Sequence, residues 1–281
     1  MSGLHSHSHS HLHPVHKPHH PHYHHVTVDG TGTKSYATPA QYEQAVLRLL
    51  HRIHHSHTGQ AVFHEFVKRS NHLMKIIPLE NVFNAFAGPT DWLHATEKGQ
   101  VERSGADGHV LLDNNGKPIV GQGGGSDSVV SFTPLTFSKY CSQQKHGHKS
   151  GAHPDEVLFH EMIHATRQMR GIFDPLPLGF LYDTEEEFYA ILLANIYASE
   201  TGRAIDIRSD HHGFEHLTTD TNAKFLPKRD NNDYRYRLVA KLVHEEPKMA
   251  YELNKLKHTP FNPIRRYFEL QTTSIFIHHH A

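Results

Sequence analysis

The stretch from Val157 to Thr166 reads V-L-F-H-E-M-I-H-A-T and constrains this chain more than any other ten residues in it. His160 and His164 lie four apart, so on a helix both rings stand on one face and can reach one ion. Glu161 neighbours His160 on the same side. It is too close in sequence to complete the coordination comfortably, but well placed to accept a proton from water. Val157, Leu158, Met162, Ile163 and Ala165 are uncharged, as a buried site helix requires. Two further His-Glu pairs lack this pattern, because His64-Glu65 is followed by Lys68 and His244-Glu245 by Lys248.

Cys141 is the only cysteine, which excludes an intramolecular disulfide and a metal site built on thiolates. A transition-metal site must then use histidine and carboxylate, and Zn2+ suits both while leaving a position open for water. A third ligand is required. The metzincin pattern would place Gly at 167 and His at 170; both are arginine, so that branch is rejected. The next acidic cluster is Glu185-Glu186-Glu187, on a helix one loop later. Taking Glu187 as inward puts Ala190, Ile191, Ala194 and Ala198 on its face, where small residues let two helices approach closely. Glu186 would bring Tyr189, Leu193 and Tyr197 instead. Glu187 is preferred and Glu186 kept as the alternative; a plain acidic first turn on the helix dipole is the simpler reading of such a run. Asn195 and Asp183 are candidates for orienting the imidazoles. Arg208, His211, His212, Tyr234 and Tyr236 are candidates for stabilising an oxyanion.

The 281 residues leave room for one sizeable domain, and 37% hydrophobic composition is enough for a core. A net charge of -1 gives no general attraction to nucleic acid or to anionic membranes. The longest apolar run, Ala190 to Ala198, is far too short to span a bilayer, and the N-terminus has no Sec-type apolar signal segment. Histidine is the outlier at 32 copies, eleven of them before Val26. Residues 1–35 are His-, Ser-, Pro- and Gly-rich and read as disordered, able to hold extra metal ions weakly. Residues 36–281 read as the folded domain.

Thr38 and Pro39 open a helix whose apolar face is Tyr42, Ala45, Val46, Leu49, Leu50 and Ile53. Thr58–Arg69 reads as a second helix and the stretch around Ile76 and Ile77 as a strand. Asp113-Asn114-Asn115-Gly116 signals a hairpin. Gly121–Gly125 reads as a flexible loop without the lysine of a phosphate loop, and Val129–Phe132 as a strand. His153–Gln168 is a helix ended by Gly171. Thr184 caps another through Ser199, and a late helix covers Tyr234–Leu256. The sum is an α+β fold: a small sheet packed on a site helix, with a mainly helical C-terminal part.

The segments HEMIHATRQMRG, EEEFYAILLANIYASETGR, RSDHHGF and GGGSDSVVSFTP resemble the NleD-like family of bacterial effector zinc metalloproteases over roughly residues 40–217. The Glu-Glu step before an aromatic residue is similar to clostridial neurotoxin light chains, where the second glutamate is the ligand; that carries over to Glu187. The resemblance implies a zincin-like fold and bound zinc. It implies an endopeptidase that hydrolyses a peptide bond in a protein substrate through a metal-activated water, with Glu161 as general base. It also implies a secreted effector or toxin, delivered into a host cell and acting on a host protein. In zincins an edge strand ahead of the site helix binds the substrate backbone, a role that would fall to Val129–Phe132. Two other readings stand beside it: a His-rich metal-binding protein without catalysis, in which metal follows the N-terminal segment, and an inactive zincin used as a binding module.

Overall fold

Short β-strands pair across long helical crossovers to make the sheet. The computed structural model describes residues 20–69, 71–104, 108–145, 148–179 and 181–278. The first strand, β1 (Val26–Val28), leads into α1 (Pro39–His55), α2 (His57–Arg69), β2 (Met74–Ile77), β3 (Phe86–Pro89) and α3 (Trp92–Ala95). A small hairpin, β4 (Arg103–Ser104) and β5 (His109–Val110), precedes β6 (Ser128–Ser131), α4 (Pro134–Gln143) and α5 (Pro154–Arg170). Then come β7 (Pro177–Gly179), β8 (Asp183–Thr184) and α6 (Glu185–Glu200), followed by α7 (Asn222–Phe225), α8 (Tyr234–Glu245), α9 (Pro247–Asn254) and α10 (Pro263–His278). The result is mixed α/β, as the helix and strand patterns predict. Among the described residues no helix is long and apolar enough to cross a membrane.

The main sheet has the order β1-β2-β6-β3. β1, β2 and β6 are parallel and β3 runs antiparallel to β6. The register aligns Val28, Ile76, Val130 and Ala87 in one row across all four strands, and all four are buried. Burial of a side chain of the Val or Ile class is worth about 1.5–3 kcal/mol. The sheet packs on α5, which also packs against α6 and α1. α6 carries apolar residues all round, FYAILLANIYAS, and every residue from Phe188 to Ser199 is buried, as a helix without a polar face must be. Thr38 and Thr184 each accept the expected N-cap hydrogen bond, from the N–H groups of Gln41 and Glu187.

Two contacts fix how α5 meets the sheet. Gln168 Nε2 donates to the Ala87 carbonyl at 3.0 Å, and Ser128 Oγ donates to Gln168 Oε1 at 2.6 Å, so the last turn is tied to β3 and β6 together. The glycine-rich loop then closes on the helix end. A Cβ on Gly125 would lie 1.9 Å from the Met169 carbonyl oxygen, and one on Gly171 would lie 2.5 Å from Gly124 N. Gly171 adopts left-handed φ as the helix cap. This loop, expected to be a free hairpin, is thus a packing device for α5.

Several expectations change. The boundary at residue 35 is too late: Val26 and Val28 are buried in the sheet, because alternating apolar residues survive inside the histidine-rich stretch. Residues 1–19 of the expected disordered segment lie outside the described residues. β6 is an interior strand, paired on both sides, so Val129–Phe132 has no free edge for a substrate; β3 is the antiparallel edge strand. The late helix is two helices, because Pro247 has no N–H and pushes Glu246 out of helical geometry (φ -126°, ψ 58°). α4 and α10, each with proline in its first turn, were not anticipated.

Candidate active site

His160 and His164 lie on the inner face of α5 and are both buried. Thr184 caps α6 so that Glu187 is the third residue of its first turn, and the α5–α6 packing brings that turn over the two rings. Glu187 Oε2 lies 3.1 Å from His160 Nε2 and 3.3 Å from His164 Nε2. The two Nε2 atoms are 3.0 Å apart. Tetrahedral coordination with bonds of about 2.0–2.1 Å separates neighbouring donors by about 3.3–3.4 Å, so these atoms have the spacing of one coordination face. Glu187 Oε2 is buried and makes no well-aligned hydrogen bond. Two imidazoles and one carboxylate, converging in this way, fit a zinc ion.

The three glutamates of this turn have separate partners. Glu185 Oε2 binds Lys241 Nζ at 2.7 Å. Glu186 is fully buried and takes Arg167 Nε at 2.8 Å and the Asp174 N–H at 3.1 Å, while its Oε1 lies 3.6 Å from His164 Nδ1. Glu186 therefore sits behind the His164 ring, on the side away from Glu187, where a carboxylate orients an imidazole. Neither Asn195 nor Asp183 takes that place. Asn195 is bonded to the backbone of Arg208 in both directions.

Asp183 faces a different histidine. Its Oδ2 accepts from His211 Nδ1 at 2.6 Å, which aims His211 Nε2 at Glu187 Oε2, 3.4 Å away. The His211 ring is parallel to that of His160 at a centroid distance of 6.3 Å. Donor atoms of His160, Glu187 and His211 all fall within 4.8 Å of one another. Arg208 holds this loop: its guanidinium donates to the carbonyls of Gly213 and His211 and lies over Phe214, close enough to Glu187 and Glu161 to feel both charges. His212 contacts the other Asp183 oxygen. Tyr234 packs with Tyr182 and Phe188, and Tyr236 Oη accepts from Gln271, so neither tyrosine is part of this cluster.

The electrostatics follow from burial. Burial pushes the Glu161 carboxyl up to about 7, against the pull of the nearby His164. Burial also pushes His160 down to about 4. His164 is buried too, but Glu187, Glu186 and Glu161 outweigh that and hold it well above the ordinary histidine range. Glu187 is held well below the ordinary carboxylate range because the two histidines more than offset its burial. The His164–Glu187 pair is thus biased toward a charged histidine beside an ionised carboxylate.

Sequence reasoning lacked the paired signal for Glu186 and for Asp183–His211. Arg167 and His164 reach Glu186 from α5 and Asp174 from the loop that follows it, and His211 is 28 residues from Asp183.

No curated protein and no solved structure matches the chain. The family model Peptidase_M91, described as effector protein, matches residues 31–187, a span that ends on Glu187 itself. With a peptidase family matched over more than half its length, the chain belongs to the NleD-like effector peptidases.

Proposed function

We propose that this peptidase is a zinc-dependent endopeptidase in which His160, His164 and Glu187 hold the ion and Glu161 is the general base. The observation that carries the reading is the convergence of His160 Nε2, His164 Nε2 and Glu187 Oε2 at mutual separations of 3.0–3.3 Å. Zinc bound there would act as a Lewis acid, polarising the scissile carbonyl and acidifying water. Glu161, poised near neutrality, takes the proton of the attacking water and passes it to the leaving amine. A protein that only buffers metal has no physical use for that carboxylate. Glu186 sets a carboxylate charge behind the His164 ring, 3.6 Å from Nδ1, which favours the orientation with Nε2 toward Glu187. His211, which gives its Nδ1–H to Asp183, would donate to the developing oxyanion from Nε2 as the imidazolium.

A zincin-like packing is supported by the antiparallel edge strand β3 lying beside α5. The substrate backbone would extend along β3, where Phe86 is 53% exposed and Ala87 adjoins Glu161. Trp92 stacks edge-on to Phe173, which lies 6.4 Å from the His164 ring and gives that rim an apolar wall. The substrate is a protein, and the effector family fits delivery from the producing cell to a target cell.

New protein N-termini should appear in a host-cell lysate treated with the wild-type chain and be missing with Glu161→Gln. Identical sets of N-termini from the two proteins would defeat the assignment of the base.

A further inference from the structure

A second group of imidazoles lies on the far side of the sheet's first crossover, outside the site just described. α1 presents His51, His54 and His55 in its last turns, and the segment before β1 lays His20 and His22 against them. His22 stacks on His54 at 4.2 Å, His51 and His55 are 3.9 Å apart, and His20 lies 5.6 Å from both His22 and His54. The α5 pair, His160 and His164, has its centroids 4.7 Å apart, within the same range. His51 and His55 also share the four-residue spacing of that pair.

His20 supplies the independent sign of a missing partner. It is 3% exposed, and its Nε2 is buried with no hydrogen-bond partner. Its Nδ1 accepts only a long bond, 3.3 Å, from the His22 N–H. Ligation through Nε2 moves the ring proton to Nδ1 and gives up that one weak bond.

We propose that His20, His22 and the α1 histidines form a second metal site, for a borderline divalent cation of the zinc, nickel or copper class. Neutral imidazoles suit these ions, and rotation of the exposed rings would let them share one. Loading would pin the segment before β1 to α1, beside the first strand of the sheet.

The test uses the full chain with the seven histidines between His5 and His19 replaced by serine, preloaded with one equivalent of zinc. Calorimetric titration with Ni2+ should show one further ion per chain. His20→Ala/His22→Ala/His54→Ala should weaken that binding at least tenfold while melting in chelator like its parent. If the triple variant melts lower, His51→Ala/His54→Ala, confined to α1, should show the same loss. Absence of the further ion overturns the proposal, and so does undiminished nickel binding in these variants.

Discussion

Two buried ionic clusters share α5, and they solve opposite problems. At its first turn, Asp155 is gripped by both terminal nitrogens of Arg203, accepts from Tyr197 Oη at 2.7 Å and has Arg52 at 3.7 Å. Glu156, beside it, lies 3.2 Å from Arg203 Nε but without the alignment of a hydrogen bond. Burial pushes Glu156 up to about 8, so it keeps its proton while Asp155 holds the arginine. That cluster closes on itself: its cation is an arginine, and its charges are neutralised. Two turns on, His160 Nε2, His164 Nε2 and Glu187 Oε2 meet at 3.0–3.3 Å with no arginine between them. The lesson is that burial of charge alone does not mark a site. A ring of donor atoms with no side-chain cation to close it is the stronger candidate.

The largest expected difference between the clusters is in catalysis. Glu161→Gln should lower kcat by about 10²–10⁴-fold while zinc content stays at one per chain by elemental analysis. Loss of zinc together with activity would turn Glu161 into a structural residue.

His211→Ala should lower kcat by about 10²–10³-fold with KM little changed, as removal of an oxyanion donor does. A change confined to KM would place His211 in substrate binding instead.

Glu156→Gln probes the closed cluster and should leave kcat unaffected. The unfolded chain releases the Glu156 proton near pH 4.5, whereas the fold keeps it until about pH 8. Between these values the folded state binds more protons, so wild-type stability falls as pH rises through that window. The variant should be more stable than wild type by on the order of 5 kcal/mol at pH 8.5 and indistinguishable at pH 4. Urea unfolding at the two pH values decides it, and a variant destabilised at both would mean that Glu156 is ionised and paired with Arg203.

The open cluster has a smaller but opposite pH signature. His164 must surrender its proton to bind an ion, so zinc affinity should rise with pH, by up to about tenfold per unit while the ring remains protonated. Calorimetry in buffers of different ionisation enthalpy should find about one proton released per zinc at pH 7. Zero release would mean that the metal-free site does not store the proton on His164.

The sequence made the local rules plain. Thr38-Pro39 and Thr184 start helices, Gly171 stops one, and the H-E-x-x-H spacing with a capped acidic turn is readable because each signal spans only a few residues. What escaped depended on distant segments meeting. β1 is only Val26–Val28, too short to show against eleven histidines until Met74 and Ile76 pair with it. The free edge belongs to β3 because β6 is claimed from both sides, a fact of pairing order that no strand carries in itself. The preference for Glu187 over Glu186 rests in sequence on Ala190, Ile191, Ala194 and Ala198 and on the family resemblance; the ion pair of Glu186 with Arg167, behind His164, is a long-range contact that no local pattern announces.

The most direct measurement is an anomalous difference map from a zinc-loaded crystal, recorded on both sides of the zinc absorption edge. A peak is expected on α5 about 2.0–2.2 Å from His160 Nε2, His164 Nε2 and Glu187 Oε2. A zinc-loaded crystal with no peak between those atoms, or with Glu186 in place of Glu187 at the ion, would contradict it.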